Sequence, residues 1–407
     1  MPAELLDGDA PGTAVLARLR EFWSHQGDLR PAIAATRALL RWNAEQHGSE
    51  HPDTLVELSA LGALAMRAGR AEEGGGLVER AWEGVRGQLG EGDVRLAVVA
   101  QNAARFLAQS ERWAEADDAL NLALRIRQKA TPDALGMLSA QRAEVLVRLA
   151  RHSEAIPLLQ QALEWYEHTF GDEHPTTSAR ARALGDALAQ VGRTREALPH
   201  WRRVHRFFVA SGDGEARAAV AHDLGAALES LDERAEALRM LEDSVRWTRE
   251  AGELGRPHPA LPARVTVFAS AELRRGRVAV AEGLLREAVE AERALSGDRS
   301  VVVGERYAAL GAFVARTGRV DEALGWLDTA TSLLRTGAGD NDPRTRQVAD
   351  SLVGLLLVRA EHALQGKDRQ LAAVALARAW EVAAPVLGFV HEKTRRVRDL
   401  RDRHRLN

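Results

Sequence analysis

Apolar residues along this chain recur three and four positions apart, the spacing of an amphipathic helix face. Leu184, Leu188 and Val191 form one such face, and Leu310, Phe313 and Val314 form another. A short turn follows each. A second periodic stretch comes next, as in Ala155, Leu158, Leu159, Ala162 and Leu163. The pattern predicts short helices arranged in pairs.

The turn inside each pair has a recurring phrase: Gly-Arg, a few residues, then Glu-Ala. It reads Gly69-Arg70, Gly192-Arg193, Gly276-Arg277 and Gly318-Arg319, with variants at Glu111-Arg112, Arg151-His152 and Asp232-Glu233. Glycine permits the left-handed backbone that ends a helix. The small residue closing each phrase serves as a ruler: Ala32, Gly74, Ala116, Ala155, Ala197, Ala237, Ala281, Ala323 and Ala372. The steps between them are 42, 42, 39, 42, 40, 44, 42 and 49 residues, so the chain is an array of repeats. Units are separated by His51-Pro52, Thr131-Pro132, His174-Pro175, His258-Pro259 and Asp342-Pro343. Proline suits a first helical turn, where its missing N–H has no intrahelical role.

Small residues hold two further registers. Gly62, Gly185, Gly225 and Gly311 lie twelve before the ruler; Ala81, Ala123, Ala162, Ala288 and Ala330 lie seven after it. Glycine inside a helix costs up to about 1 kcal/mol against alanine, and close helix approach is the simplest reason to keep it. With these offsets the chain resembles the tetratricopeptide repeat family. The 42-residue unit and starts such as Gly171-Asp172-Glu173-His174-Pro175 are similar to its kinesin light chain subtype. The resemblance implies an all-α, right-handed superhelical solenoid of about eight to nine helix pairs. Its expected divisions are a tail at 1–13, a degenerate pair at 14–48, a core array at 49–342, a longer last pair at 343–390 and a basic capping helix at 391–407.

The resemblance also implies that first helices line a concave groove that holds a protein or peptide partner. Its expected partner-binding residues are Gln101, Asn102 and Arg105, then Gln141 and Glu144, then Arg182 and Asp186, then His222 and Asp223. Later units turn apolar or small there: Val267 and Ser270, Ala308 and Ala312, Leu357 and Val358. A polar central groove and a drier C-terminal half are expected. The paired asparagines of kinesin light chain units are matched only by Gln101-Asn102, and Arg105 with Arg182 makes a poor carboxylate clamp. Neither ligand class follows.

Composition narrows the function. Formal charge is −3, so no overall field draws in nucleic acid or an anionic membrane. Cysteine is absent, which excludes disulfides and thiolate chemistry. The N-terminus lacks a secretory pattern, and apolar runs such as Leu352–Val358 and Leu371–Ala377 are too short to span a bilayer. A cytoplasmic protein is expected, and Gly-, Ala- and Arg-rich usage points to a bacterial source. The histidines form no metal motif, and those before Pro52, Pro175 and Pro259 read as caps. No cofactor and no catalytic residues are expected. Gly74-Gly75-Gly76 lacks the Lys-Ser/Thr of a phosphate loop and reads as a loosened helix start. Trp42, Trp165 and Trp247 share one register and read as inter-repeat core. The segment His391–Asn407 has a net charge of +4 and reads as an exposed capping helix.

These features predict a non-catalytic scaffold or adaptor. A regulatory sensor responding to a short peptide or small ligand is the alternative. Nucleic-acid binding through the basic terminus is the weaker one.

Overall fold

The computed structural model describes residues 10–130, 135–253 and 256–405. Among these the chain is all helical, with no β-strand. The pairs are α1 (Ala10–Gln26) with α2 (Leu29–His47), α3 (Pro52–Arg67) with α4 (Ala71–Arg86), and α5 (Val94–Gln109) with α6 (Trp113–Ala130). Next come α7 (Leu135–Arg148) with α8 (His152–Phe170), and α9 (Pro175–Gln190) with α10 (Thr194–Ser211). Then follow α11 (Gly214–Ser230) with α12 (Arg234–Glu250), α13 (Leu261–Arg274) with α14 (Val278–Ser296), and α15 (Val301–Arg316) with α16 (Val320–Ala338). The last pair is α17 (Pro343–Gln365) with α18 (Arg369–Val382), followed by a π-helical turn, Ala383–Leu387, and α19 (Glu392–His404). The helices fall into two compact units divided between Phe207 and Phe208.

Within each unit, consecutive pairs share their cores. In the first, Leu55 of α3, Leu96 of α5, Leu120 of α6 and Leu138 of α7 belong to one buried cluster. In the second, Leu241, Val265, Leu285 and Phe313 form one cluster, and Leu327, Leu352, Leu376 and Val397 another. A single pair has apolar surface on both sides, and stacking is what buries it.

The turn phrase has a physical cause. Gly69, Gly192, Gly276 and Gly318 all have positive φ, between 77° and 82°. Where glycine is missing, Glu111, Ala150, Asp232 and Lys367 adopt the same conformation with φ between 57° and 64°. The arginine that follows opens the second helix, and its guanidinium meets the glutamate one turn on: Arg112–Glu115 at 2.6 Å, Arg151–Glu154 at 2.7 Å and Arg193–Glu196 at 2.7 Å. The glutamate in turn suits the positive end of the helix dipole. Several of these arginines also reach back one pair, Arg112 to Glu79 at 2.9 Å and Arg151 to Asp117 at 2.6 Å. Exposed pairs of this kind contribute about 0–1 kcal/mol each.

The His-Pro starts cap α3 and α9, and His258 bonds the turn before α13. Nδ1 of His51 accepts from the Asp53 N–H at 3.3 Å, and that of His174 accepts from Thr176 at 3.3 Å. His258 accepts from Ala260 at 3.2 Å, and His391 does the same for Lys393 without a proline. Pro52, Pro175 and Pro343 begin α3, α9 and α17. Thr131-Pro132 lies outside the described residues.

The mid-helix glycines mark close approach. A Cβ on Gly62 would stand 2.6 Å from the carbonyl oxygen of Gly74; one on Gly185 would stand 2.8 Å from Nε1 of Trp201. On Gly225 and Gly311 it would meet Leu241 and Leu327, each at 2.8 Å.

Four expectations need correcting. Gly74 and Gly75 lie inside the continuous helix α4, buried against Met66 and Phe106, so these two glycines serve close packing and the helix start is not loosened. Two of the three tryptophans pack on the first helix of their own pair: Trp165 lies on Gly136 of α7, and Trp247 on Ala218 and Ala221 of α11. Leu357 is buried in the core cluster with Leu352 and Leu356. The apolar run at Leu371–Ala377 belongs to a longer stretch, Arg369–Leu387, which is long and apolar enough to cross a membrane by length and composition. Its buried side chains Ala372, Leu376, Ala379, Val382 and Val386 line the core between α17 and α19.

The basic end segment packs through Thr394, Val397 and Leu400, all buried. Lys393 pairs with Asp350 at 2.7 Å, and Arg396 with Glu361 at 2.9 Å. Arg401 lies 5.6 Å over the Trp380 ring.

Candidate functional site

A cavity of about 780 Å³ opens in the first unit against α5, α7 and α9. Its floor is apolar: Ala104, Ala108, Leu120, Val145, Leu159, Ala183 and Ala187. Alanine dominates because a larger side chain on these helices would fill the hollow. Trp113, at the start of α6, supplies the one large aromatic wall.

Of the residues expected from the sequence, Arg105, Gln141, Glu144 and Asp186 line this cavity. Gln101 stands beside it, donating through Nε2 to Gln141 Oε1 at 2.9 Å. Asn102 turns toward the preceding pair and donates to Ser59 Oγ at 3.2 Å. Arg182 does not line the cavity; its guanidinium lies 3.7 Å from the Asp186 carboxylate. His222 and Asp223 belong to α11 in the second unit and are not part of the lining. His222 is half-buried, and burial, helped by the nearby Arg264 guanidinium, pushes its pKa below the usual histidine value. Arg264 itself is buried; it donates to Thr248 Oγ1 at 2.6 Å and pairs with Glu215 at 2.8 Å.

The cavity's charges are not balanced in their bonding. Glu144 is engaged by Arg180, and Asp186 accepts from Trp201 Nε1 at 2.7 Å. The basic groups are left over. Arg105 makes no ion pair among the described residues, and burial, followed by repulsion from Arg67, holds its guanidinium below the usual arginine range. Arg148 also makes no ion pair among the described residues, and its guanidinium carbon lies 5.1 Å from the centre of the Trp113 ring. Nδ1 of His152 is buried without a hydrogen-bond partner.

Sequence reasoning missed Trp113, Arg148, His152, Gln109 and Gln190. The signal was present in the ruler. Arg105, Glu144 and Asp186 lie eleven before it; Gln109, Arg148 and Gln190 lie seven before; Trp113 and His152 lie three before. The first two registers are four residues apart and so share one face of the first helix, and the third falls at the start of the second helix, beyond the turn. Among the described residues no group of three or more His, Asp or Glu could hold a metal ion.

The tetratricopeptide repeat pattern matches residues 133–208 and again 217–260. The apo form of RapI is 12% identical and aligns over 91% of this chain and 97% of its own, with a TM-score of 0.56; it has the same fold. A putative kinesin light chain from Podosopora anserina with nearly identical TPR-like repeats is 20% identical, covering 51% of this chain and 99% of that one, with a TM-score of 0.40. A curated relative, the secreted RxLR effector protein RXLR-C07 of Plasmopara halstedii, is 23% identical over 214 residues, 51% of this chain. The match spans 64% of that relative's length.

Proposed function

We propose that this chain, which carries tetratricopeptide repeats, is a non-catalytic scaffold that holds a segment of a protein partner in the cavity of its first unit. The repeat fold generally mediates protein–protein interaction, and repeat scaffolds are generally not catalysts. The observation that carries the specific reading is the wall of α5, α7 and α9: an apolar floor beside Arg105 and Arg148, neither of which pairs with a carboxylate among the described residues. Interfaces use such a combination of apolar core and polar positioning groups.

The shared face also explains why binding is built on first helices. One face of each contributes a short side chain to the floor and a long polar one to the rim, and stacking repeats that pattern. A bound segment would cover Ala108 and Ala183 and satisfy Arg105. The proposed setting is cytoplasmic.

The test is steric. Ala183 is half-buried and faces the cavity, so Ala183→Trp fills it without entering the core behind. A partner identified with the wild-type chain should be lost by the variant while helical content and melting temperature hold. Equal binding by a folded Ala183→Trp chain would rule this cavity out as the partner site.

A further inference from the structure

We infer that a second, smaller cavity of the first unit, between α1, α3 and α5, binds a small phosphate anion, either inorganic phosphate or a phosphate monoester, through the guanidiniums of Arg67 and Arg105. The inference does not rest on the scaffold reading. It concerns a different opening, which shares only Arg105 with the partner cavity.

The lining of this opening is uneven in charge. Arg20, Arg67 and Arg105 line it, with Glu21 the one carboxylate. Arg20 is committed to Glu57 of α3, which it meets at 2.5 Å. Glu21 is exposed and makes no ion pair among the described residues. Arg67 and Arg105 are therefore left near each other with no carboxylate between them. Burial, followed by repulsion from Arg67, holds the Arg105 guanidinium below the usual arginine range. An anion set between the two turns that repulsion into two attractions.

The surrounding bonds hold the frame of the opening. Arg67 ends α3 and donates to Oγ of Ser24 at 2.6 Å and to the Ser24 carbonyl oxygen at 3.1 Å, so α1 steadies its guanidinium. A guanidinium has five N–H donors, so others remain. Asn102, three residues before Arg105, ties α5 to α3 by donating to Ser59 Oγ at 3.2 Å. Ala60, Ala63 and Leu64 complete the lining and bring no side-chain acceptor. A phosphate monoester carries a charge of about −1.5 to −2 at neutral pH and three acceptor oxygens, which suits two cations on different helices. A carboxylate brings one charge and two oxygens. The volume of about 260 Å³ lies below the range of about 300–1,000 Å³ that drug-sized ligands fill, so the occupant is a small anion.

The experiment is calorimetric titration of the full chain with inorganic phosphate and, separately, with glycerol 3-phosphate, against acetate at matched ionic strength. Saturable binding at one site is expected. Arg67→Gln and Arg105→Gln should each weaken it about tenfold or more, with helical content unchanged. Arg148→Gln and Ala183→Trp alter only the partner cavity and should leave phosphate binding as it is. Tighter binding of glycerol 3-phosphate would assign the site to an ester, and tighter binding of inorganic phosphate to the free ion; either supports the inference. Absence of saturable phosphate binding by the wild-type chain, or its survival in both glutamine variants, would overturn it. Acetate binding as tight as phosphate would do the same, because the site would then not select a dianion. Loss with Ala183→Trp but not with Arg67→Gln would place the anion in the partner cavity instead and sink the assignment to this one. A failure here leaves the scaffold reading where it stands.

Discussion

In the first unit the wall of α5, α7 and α9 presents Arg105, Glu144 and Asp186 at one register, and two arginines there have no carboxylate of their own. In the second unit the same register carries Ser270 on α13 and Ala312 on α15, and several arginines of that unit are paired with carboxylates. Arg359 pairs with Asp321 at 2.9 Å, Arg319 with Glu282 at 2.5 Å, and Arg378 with Asp328 at 2.5 Å. Arg264 is committed to Thr248 and Glu215. One repeat frame thus supports two uses of charge. Paired charges fix the stack; unpaired ones at an apolar hollow leave bonding capacity for another molecule.

The largest effects should be common to both regions, because the packing frame is shared. Gly185→Val in the first unit would drive a side chain into Trp201, and Gly225→Val in the second would strike Leu241. Each should cost about 2–3 kcal/mol, as overpacking of a full interface does, read as a lower midpoint in urea. A loss at one site only would mean that the two stacks are not built alike.

The contrast itself appears one step down. Arg264→Gln removes the bonds of a buried guanidinium to Thr248 and Glu215, so it should destabilise by about 2 kcal/mol. Arg148→Gln removes an exposed guanidinium that bonds no carboxylate and should change stability by less than about 0.5 kcal/mol. Equal costs would erase the distinction between charge that serves the fold and charge held open. A smaller gain should come from turns in both regions: Glu111→Gly and Asp232→Gly relieve a left-handed backbone and should each stabilise by about 1 kcal/mol in thermal melts.

The smallest effect is on pH. The Arg344 guanidinium holds the Asp342 carboxyl down at about 2, and Arg95 likewise lowers Asp93 in the first unit. A folded pKa below the unfolded value gives stability that is present above the unfolded pKa and is lost as pH falls through the folded one. Asp342→Asn should therefore flatten part of the acid limb between about pH 4 and pH 2 and leave neutral pH nearly unchanged. An unaltered acid limb would show that the cap pair is not coupled to folding.

Much of the fold was legible because it is written many times. The ruler positions, the glycines at Gly62, Gly185, Gly225 and Gly311, and the Gly-Arg turns each repeat a single packing requirement, so weak signals add in phase. The features that failed were the ones that occur once or depend on a neighbour. Gly74 faces Gly62 across two helices, and nothing within the triple glycine reveals that. The site was half legible. Arg105, Glu144 and Asp186 follow from counting back along a first helix, but Trp113 and His152 sit beyond the turn, in the next helix. Whether an arginine is paired or unpaired is decided by side chains from other pairs, as with Arg180 on Glu144, and local periodicity does not encode it.

Hydrogen exchange on the full chain, with and without a peptide selected against it, tests the central claim most directly. The account predicts added protection in α5, α7 and α9, with α13, α15 and α17 unchanged. Protection centred on the second unit, with α5, α7 and α9 unmoved, would contradict it.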